Sequence, residues 1–161
     1  MPAGNTYEAI ATQTLGSAAA SVTFSSIPST YTDLVLVSNY QLTTGDNFMT
    51  IRFNSDTGSN YSFTNFYGEG TAPASDRTTN ATAGRIGFYG SNQSNSIVNI
   101  MNYSNTTTNK TALSRDNTNT YVVTRVNLWR NTSAINSITI LTSSPNLTAG
   151  STFSLYGIAS A

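Results

Sequence analysis

A chain of 161 residues suits one domain able to bury its own core. It has no cysteine, which excludes disulfides and thiolate metal sites, and no histidine, which removes Ser-His-Asp and Cys-His triads, the usual near-neutral general base and the commonest zinc ligand. Charged residues are 9% of the chain, against roughly 25% in average soluble proteins, and seven bases face seven acids, so nothing draws in a phosphate backbone and nucleic acid is not an expected partner.

Serine, threonine and asparagine fill the places charges normally take. Disorder goes with few aromatics and high net charge. Here aromatics are 11% and the net charge is zero, so the composition reads as a folded β protein. Residues 1–16 lack a basic leader and carry Glu8, Thr12 and Gln13 among their apolar residues, so no secretory signal is expected. No apolar run approaches the ~18 residues of a membrane span.

Short β-branched and aromatic runs alternate with Gly, Asn, Asp, Ser or Pro clusters along the whole chain. Tyr7 to Leu15 alternates weakly, after an N-terminal arm of about residues 1–6. Val22, Phe24 and Ile27 give a second strand, stopped by Pro28. Leu34 to Val37 is the most continuously apolar run and is expected to lie centrally, covered on both faces. Phe48 to Phe53 places Ile51 and Phe53 on one face, and Asn54 to Asn60 reads as a turn on Asp56, Thr57 and Gly58. Tyr61, Phe63 and Tyr67 continue the sheet. A polar stretch from Gly68 to Gly84, with Pro73 inside it, reads as a long functional loop, its candidate contact residues being Glu69, Pro73, Asp76 and Arg77.

Ile86 and Phe88 form a short strand. Ile97 to Tyr103 and Thr111 to Arg115 make a hairpin around Asn105 to Lys110. Tyr121 to Trp129 alternates clearly, with Tyr121, Val123, Arg125 and Asn127 on one side and Val122, Thr124, Val126 and Leu128 on the other. Ile138, Ile140, Phe153 and Leu155 complete a set of about eight to eleven short strands, the pattern of an all-β, antiparallel, jelly-roll-like sandwich in one domain. The expected core anchors are Phe24, Leu34, Leu36, Phe53, Trp129, Ile138, Ile140, Phe153, Leu155 and Tyr156.

An enzyme here would have to use Glu8, Asp33, Asp46, Asp56, Glu69, Asp76 or Asp116, and a glycosidase needs two carboxylates facing across a cleft. Most of these acids fall in expected turns or loops, where local hydrogen bonding explains them. The Asn54–Asn60 stretch begins like a calcium loop, but Phe66 and Tyr67 stand where the completing acid is needed, so a hairpin turn is the better reading. Gly84, Gly87 and Gly90 lack the lysine-serine pair of a phosphate loop and read as glycines of a tight β crossing. No catalytic residue, cofactor site or metal site is therefore assigned. Tyr31, Tyr40, Tyr67, Tyr89 and Trp129 could stack on sugars, though core and interface packing is the favoured role.

Two stretches carry a likeness. Tyr7-Glu8-Ala9-Ile10-Ala11-Thr12, continuing through Ser26-Ile27-Pro28-Ser29-Thr30-Tyr31-Thr32-Asp33-Leu34, resembles the start of a group of small virion proteins of tailed bacteriophages, frequent in aquatic and cyanobacterial phages. Trp129 to Ile140 and the segment Gly150-Ser151-Thr152-Phe153-Ser154-Leu155-Tyr156-Gly157-Ile158 resemble its close, and Ile51 to Asp56 with Tyr61-Ser62 is a softer middle match. The terminal Phe-Ser-Leu-Tyr-Gly-Ile is the most specific part. The resemblance implies a non-catalytic jelly roll on the capsid or tail, with Trp129, Phe153 and Tyr156 defining the fold.

That resemblance sets the expectations for function. The first is a capsid decoration or cement protein on the virion surface, assembled in the host cytoplasm, with the major capsid protein or other virion proteins as partner and a homo-oligomer, a trimer above all, as its state. The alternative is a receptor-binding module of a tail, collar or head fibre recognising host-surface glycans. A fibre usually carries an attachment shaft, and a β pattern that begins at Tyr7 leaves no room for one, which favours decoration. Membranes are not expected partners.

Overall fold

Period-two burial runs through more than half of the strands of the computed structural model, which describes residues 6–44, 47–89, 92–117, 121–142, 144 and 146–159, without the side chains of Glu69 and Tyr89. The N-terminal arm expected at residues 1–6 lies, apart from Thr6, outside the described residues, as do Asp46 and Gly90. In chain order the strands are β1 (Tyr7–Thr14), β2 (Ser21–Phe24), β3 (Asp33–Tyr40), β4 (Asn47–Phe53), β5 (Tyr61–Glu69), β6 (Ala72–Ala81), β7 (Gly84–Tyr89), β8 (Ser94–Met101), β9 (Lys110–Asn117), β10 (Tyr121–Trp129), β11 (Ile138–Thr142) and β12 (Thr152–Ile158).

These strands form two antiparallel sheets. The larger runs β1-β12-β3-β8-β9-β10-β5-β6 and the smaller β2-β11-β4-β7. Setting aside the hairpins β5–β6 and β9–β10 leaves four strands over four, β1-β12-β3-β8 facing β2-β11-β4-β7. Along the chain those eight strands alternate between the sheets except at β4 and β7, which follow one another as neighbours in the smaller sheet, and this is the double Greek key of a jelly roll. The two extra hairpins pair with each other through β10 and β5 and so carry the larger sheet beyond the smaller one.

The core lies between the sheets. Phe24, Leu34, Leu36, Phe53, Trp129, Ile138, Ile140, Phe153 and Leu155 are all buried there, each contributing about 1.5–3 kcal/mol through removal of apolar surface from water. Trp129 lies in the middle of this core. It packs 5.5 Å from the Phe53 ring and stacks at 6.3 Å on Tyr61. The Tyr61 hydroxyl accepts the Phe53 N–H at 2.9 Å, and burial pushes that hydroxyl up to about 12.

The Asn54–Asn60 turn is fastened to this aromatic cluster. Asp56 Oδ1 accepts the Gly58 N–H at 2.8 Å, and Oδ2 accepts Asn60 Nδ2 at 2.9 Å and the Trp129 indole N–H at 2.7 Å. Asn54, at a left-handed φ of 51°, donates Nδ2 to the Ala134 carbonyl and accepts the Asn136 and Ser137 N–H groups, joining the turn to the segment before β11. Lys110 is buried, with its ammonium on the Thr108 and Thr132 carbonyls at 2.7 and 3.0 Å, and burial lowers its pKa.

Three expectations are corrected. The stretch from Gly68 to Gly84 is not a long loop: a turn at Gly70, with φ 57°, returns the chain into β6, so Pro73, Asp76 and Arg77 lie on a strand and Glu69 ends β5. The strand was invisible because it is the sheet's edge and is largely exposed on both faces, so no apolar alternation marks it. Proline and charge suit such an edge, where they discourage further pairing. Second, β3 is central but not covered on both faces, since Val37 is 38% exposed. Third, Tyr156 is not a core anchor. Phe153 and Leu155 take the inner face, and alternation puts Tyr156 on the outer one, half-buried and edge-on to Tyr7.

Gly157 explains the middle of the terminal motif. A Cβ there would run into the Tyr31 ring, which lies directly against the strand. Gly157→Ala is expected to lower unfolding stability by about 1–3 kcal/mol through overpacking, read by urea denaturation. Asp56 supplies a second expectation. Burial raises its pKa, but the hydrogen bonds from Trp129, Asn60 and Gly58 outweigh it, and the net direction is down. Its contribution is thus present above the unfolded carboxyl value of about 3.9 and is lost as pH falls through the folded value. Asp56→Asn should cost about 2 kcal/mol at neutral pH, and the gap to wild type should shrink in denaturation curves taken at increasingly acid pH.

Candidate functional site

Strand β7 is the edge of the smaller sheet, and one row of its backbone groups faces away from β4. Side chains from the larger sheet meet that row. Asn127 Oδ1 accepts the Arg85 N–H at 2.8 Å and its Nδ2 donates to the Arg85 carbonyl at 2.9 Å. Ser96 Oγ donates to the Ile86 carbonyl at 2.7 Å, and Asp116 Oδ2 accepts the Phe88 N–H at 2.8 Å. Ser96, Asp116 and Asn127 are all buried. Gly84 leaves the room this needs, since a Cβ there would sit 2.9 Å from Asn127 Oδ1.

The other oxygen of Asp116 pairs with the Arg125 guanidinium, and both side chains are almost fully buried. Burial raises the Asp116 pKa; Arg125 and the Phe88 N–H pull it back without cancelling the rise. Registration across β10, β5 and β6 sets Arg125 opposite Asn65 and Asn65 opposite Asp76, whose carboxylate accepts Asn65 Nδ2.

These strands continue beyond β7, and there the sandwich opens into a cleft of about 170 Å³. Phe48, Phe88, Tyr121 and Tyr67 form a chain of rings along it, with neighbouring centroids 5.1, 4.9 and 6.2 Å apart. Arg85 lies 3.3 Å above the Phe48 ring. Asn65, Asp76, Val123 and Arg125 complete the lining. Asn65 Oδ1 and Arg125 Nε are buried without a hydrogen-bond partner among the described residues, an uncommon state for polar atoms. The lining holds one carboxylate, Asp76. Among the described residues no three of Asp, Glu, His or Cys gather as a metal site.

Of the residues read from the sequence, the structure brings Tyr67 and Asp76 together on this cleft. Tyr40 and Trp129 are buried, and Tyr31 is half-buried against Gly157. The Tyr89 side chain lies outside the described residues. Pro73 and Arg77 sit exposed on β6 away from the lining. Phe48, Asn65, Arg85, Phe88, Tyr121, Asp116 and Arg125 were not singled out as a group. The available signal was the Tyr121–Trp129 alternation, in which either face could have been the inner one.

The outer face of the larger sheet is the second feature. Val37 pairs with Ile97, and Leu113 with Val126; Ile97 and Leu113 are diagonal neighbours, as are Val126 and Phe66. These five exposed side chains form a diagonal stripe across β3, β8, β9, β10 and β5, with Val122 beside it at 73% exposure. No protein-family model matches the chain, and neither a curated protein nor a solved structure does.

Arg125→Met is expected to cost about 3–5 kcal/mol by leaving Asp116 buried and unpaired. Adding Asp116→Asn, which keeps an acceptor for the Phe88 N–H, should recover at least half of that loss, measured as a double-mutant cycle in urea.

Proposed function

We propose that the chain is a non-catalytic structural protein of a bacteriophage virion surface, a capsid decoration or cement protein that docks on the major capsid protein through the outer face of its eight-stranded sheet. The observation that carries the reading is the stripe Val37-Ile97-Leu113-Val126-Phe66, an apolar row left on the outside of an otherwise polar, nearly uncharged molecule. Few ion pairs would carry such an interface, so it tolerates changes of salt and pH outside the cell. The resemblance of the terminal segments to tailed-phage virion proteins points the same way.

The stripe spans five strands at ~4.8 Å spacing but is one side chain wide on each, a narrow row beside the ~800 Å² per partner of a stable interface. A single copy would therefore bind weakly. A homotrimer seated on a local three-fold axis would add the contacts of its three copies through avidity. A specific observation favours a second reading, a tail, collar or head-fibre module recognising host-surface glycans, namely the ring-lined cleft beside β6.

The copy number of this protein relative to the major capsid protein, measured by mass spectrometry on purified particles, separates the two. Hundreds of copies are expected, and Val122→Glu with Val126→Glu should lower that number at least tenfold without moving the unfolding midpoint. A few to a few dozen copies, or occupancy indifferent to both substitutions, would overturn decoration through this face.

A further inference from the structure

The cleft beyond β7 is more than a gap between sheets. Its walls combine two chemistries that a solvent-filled groove does not need. Four half-buried rings, Phe48, Phe88, Tyr121 and Tyr67, run along it. Asn65 and Arg125, 3% and 2% exposed, stand in its wall, and just behind that surface Asn65 Oδ1 and Arg125 Nε, an acceptor and a donor, have no partner among the described residues. Asp76 adds an exposed carboxylate at the mouth, held by Asn65 Nδ2.

The charges around the space cancel, Arg85 and Arg125 standing against Asp76 and Asp116. Net positive charge that would select an anion is therefore missing from these four groups. An aromatic face suits the C–H face of a pyranose, and alternating acceptors and donors suit hydroxyls, which do both. A volume of about 170 Å³ has room for one hexose ring.

We propose that this cleft binds a single neutral hexopyranose unit, such as the terminal sugar of a surface glycan. The ring lies against the aromatic wall near Tyr67 and Tyr121, and its hydroxyls meet Asp76 at the mouth, with Asn65 and Arg125 behind it. The sugar enters beside the edge strand β6, where no further strand of the described residues closes the sheet. The site deepens the glycan-recognising reading, but it stands apart from the outer sheet face, so a capsid-bound protein can carry it as well.

The test is a nuclear magnetic resonance titration of the whole chain with the methyl glycosides of glucose, galactose, mannose and N-acetylglucosamine, with methyl glucuronide as the anionic control. At least one neutral probe should bind saturably with a Kd in the millimolar range, as expected for so small a ligand. Asp76→Ala, at an exposed position on the edge strand, should weaken that binding at least tenfold, and Tyr67→Ala likewise, with an amide spectrum that otherwise matches wild type in both variants. Val122→Glu, on the opposite face, should leave it unchanged. Absence of saturable binding by every neutral probe, binding indifferent to Asp76→Ala, or preference for the glucuronide would overturn the proposal. None of these outcomes alters the particle copy number, so failure here is distinct from failure of the decoration reading.

Discussion

The polar side chains that close the edge of β7 are the constraint around which the rest of the sandwich is arranged. A strand edge inside a protein leaves amides and carbonyls that water can no longer satisfy. Here Asn127, Ser96 and Asp116 reach across from the facing sheet and supply the missing partners. They must therefore point inward, and alternation then sends Val122, Val126, Leu113 and Ile97 outward. The same alternation that shields one backbone edge leaves an apolar stripe in solvent.

Closing an edge with side chains rather than with another strand has a further result. The smaller sheet stops at β7 while the larger one continues through β10, β5 and β6, so the two layers part. At the point of parting, Asp116 neutralises Arg125, and Asn65 and Asp76 continue the polar row out to the surface. The cleft is thus the outer end of the hydrogen-bonded seam, built from the same strands and the same inward-facing positions.

Much of the fold was legible because strands that bury one face announce themselves. Phe48 to Phe53, Phe153 with Leu155 and the hairpin around Asn105 to Lys110 fall where alternation and turn chemistry put them. Ala72 to Ala81 was not legible, since an edge strand that buries neither face has no period to detect. The cleft was hidden for another reason. In Tyr121–Trp129 the alternation separates Val123, Arg125 and Asn127 from Val122, Val126 and Leu128 without saying which set points inward, and the backbone edge of a strand far away in sequence, which Asn127 meets, decides between them. Tyr67 and Asp76 were individually visible, but their neighbourhood depends on β6 pairing with β5.

The place of β11 and β12 in the two sheets bears on how the chain reaches this state. β12 lies between β1 and β3, and β11 between β2 and β4, so each sheet holds a slot that a late strand fills. Tyr7 pairs with Ile158, and Val22 with Ile140. During synthesis β1, β2, β3 and β4 all exist before the strands that join them, and their exposed edges have to wait. The hairpins β5–β6 and β9–β10, whose contacts are local, can form in that interval and hold the growing sheet together. The terminal Phe-Ser-Leu-Tyr-Gly-Ile then acts as a latch: its arrival turns a set of waiting edges into a closed molecule, and a chain stopped short of it would carry β1 and β3 open to one another's copies.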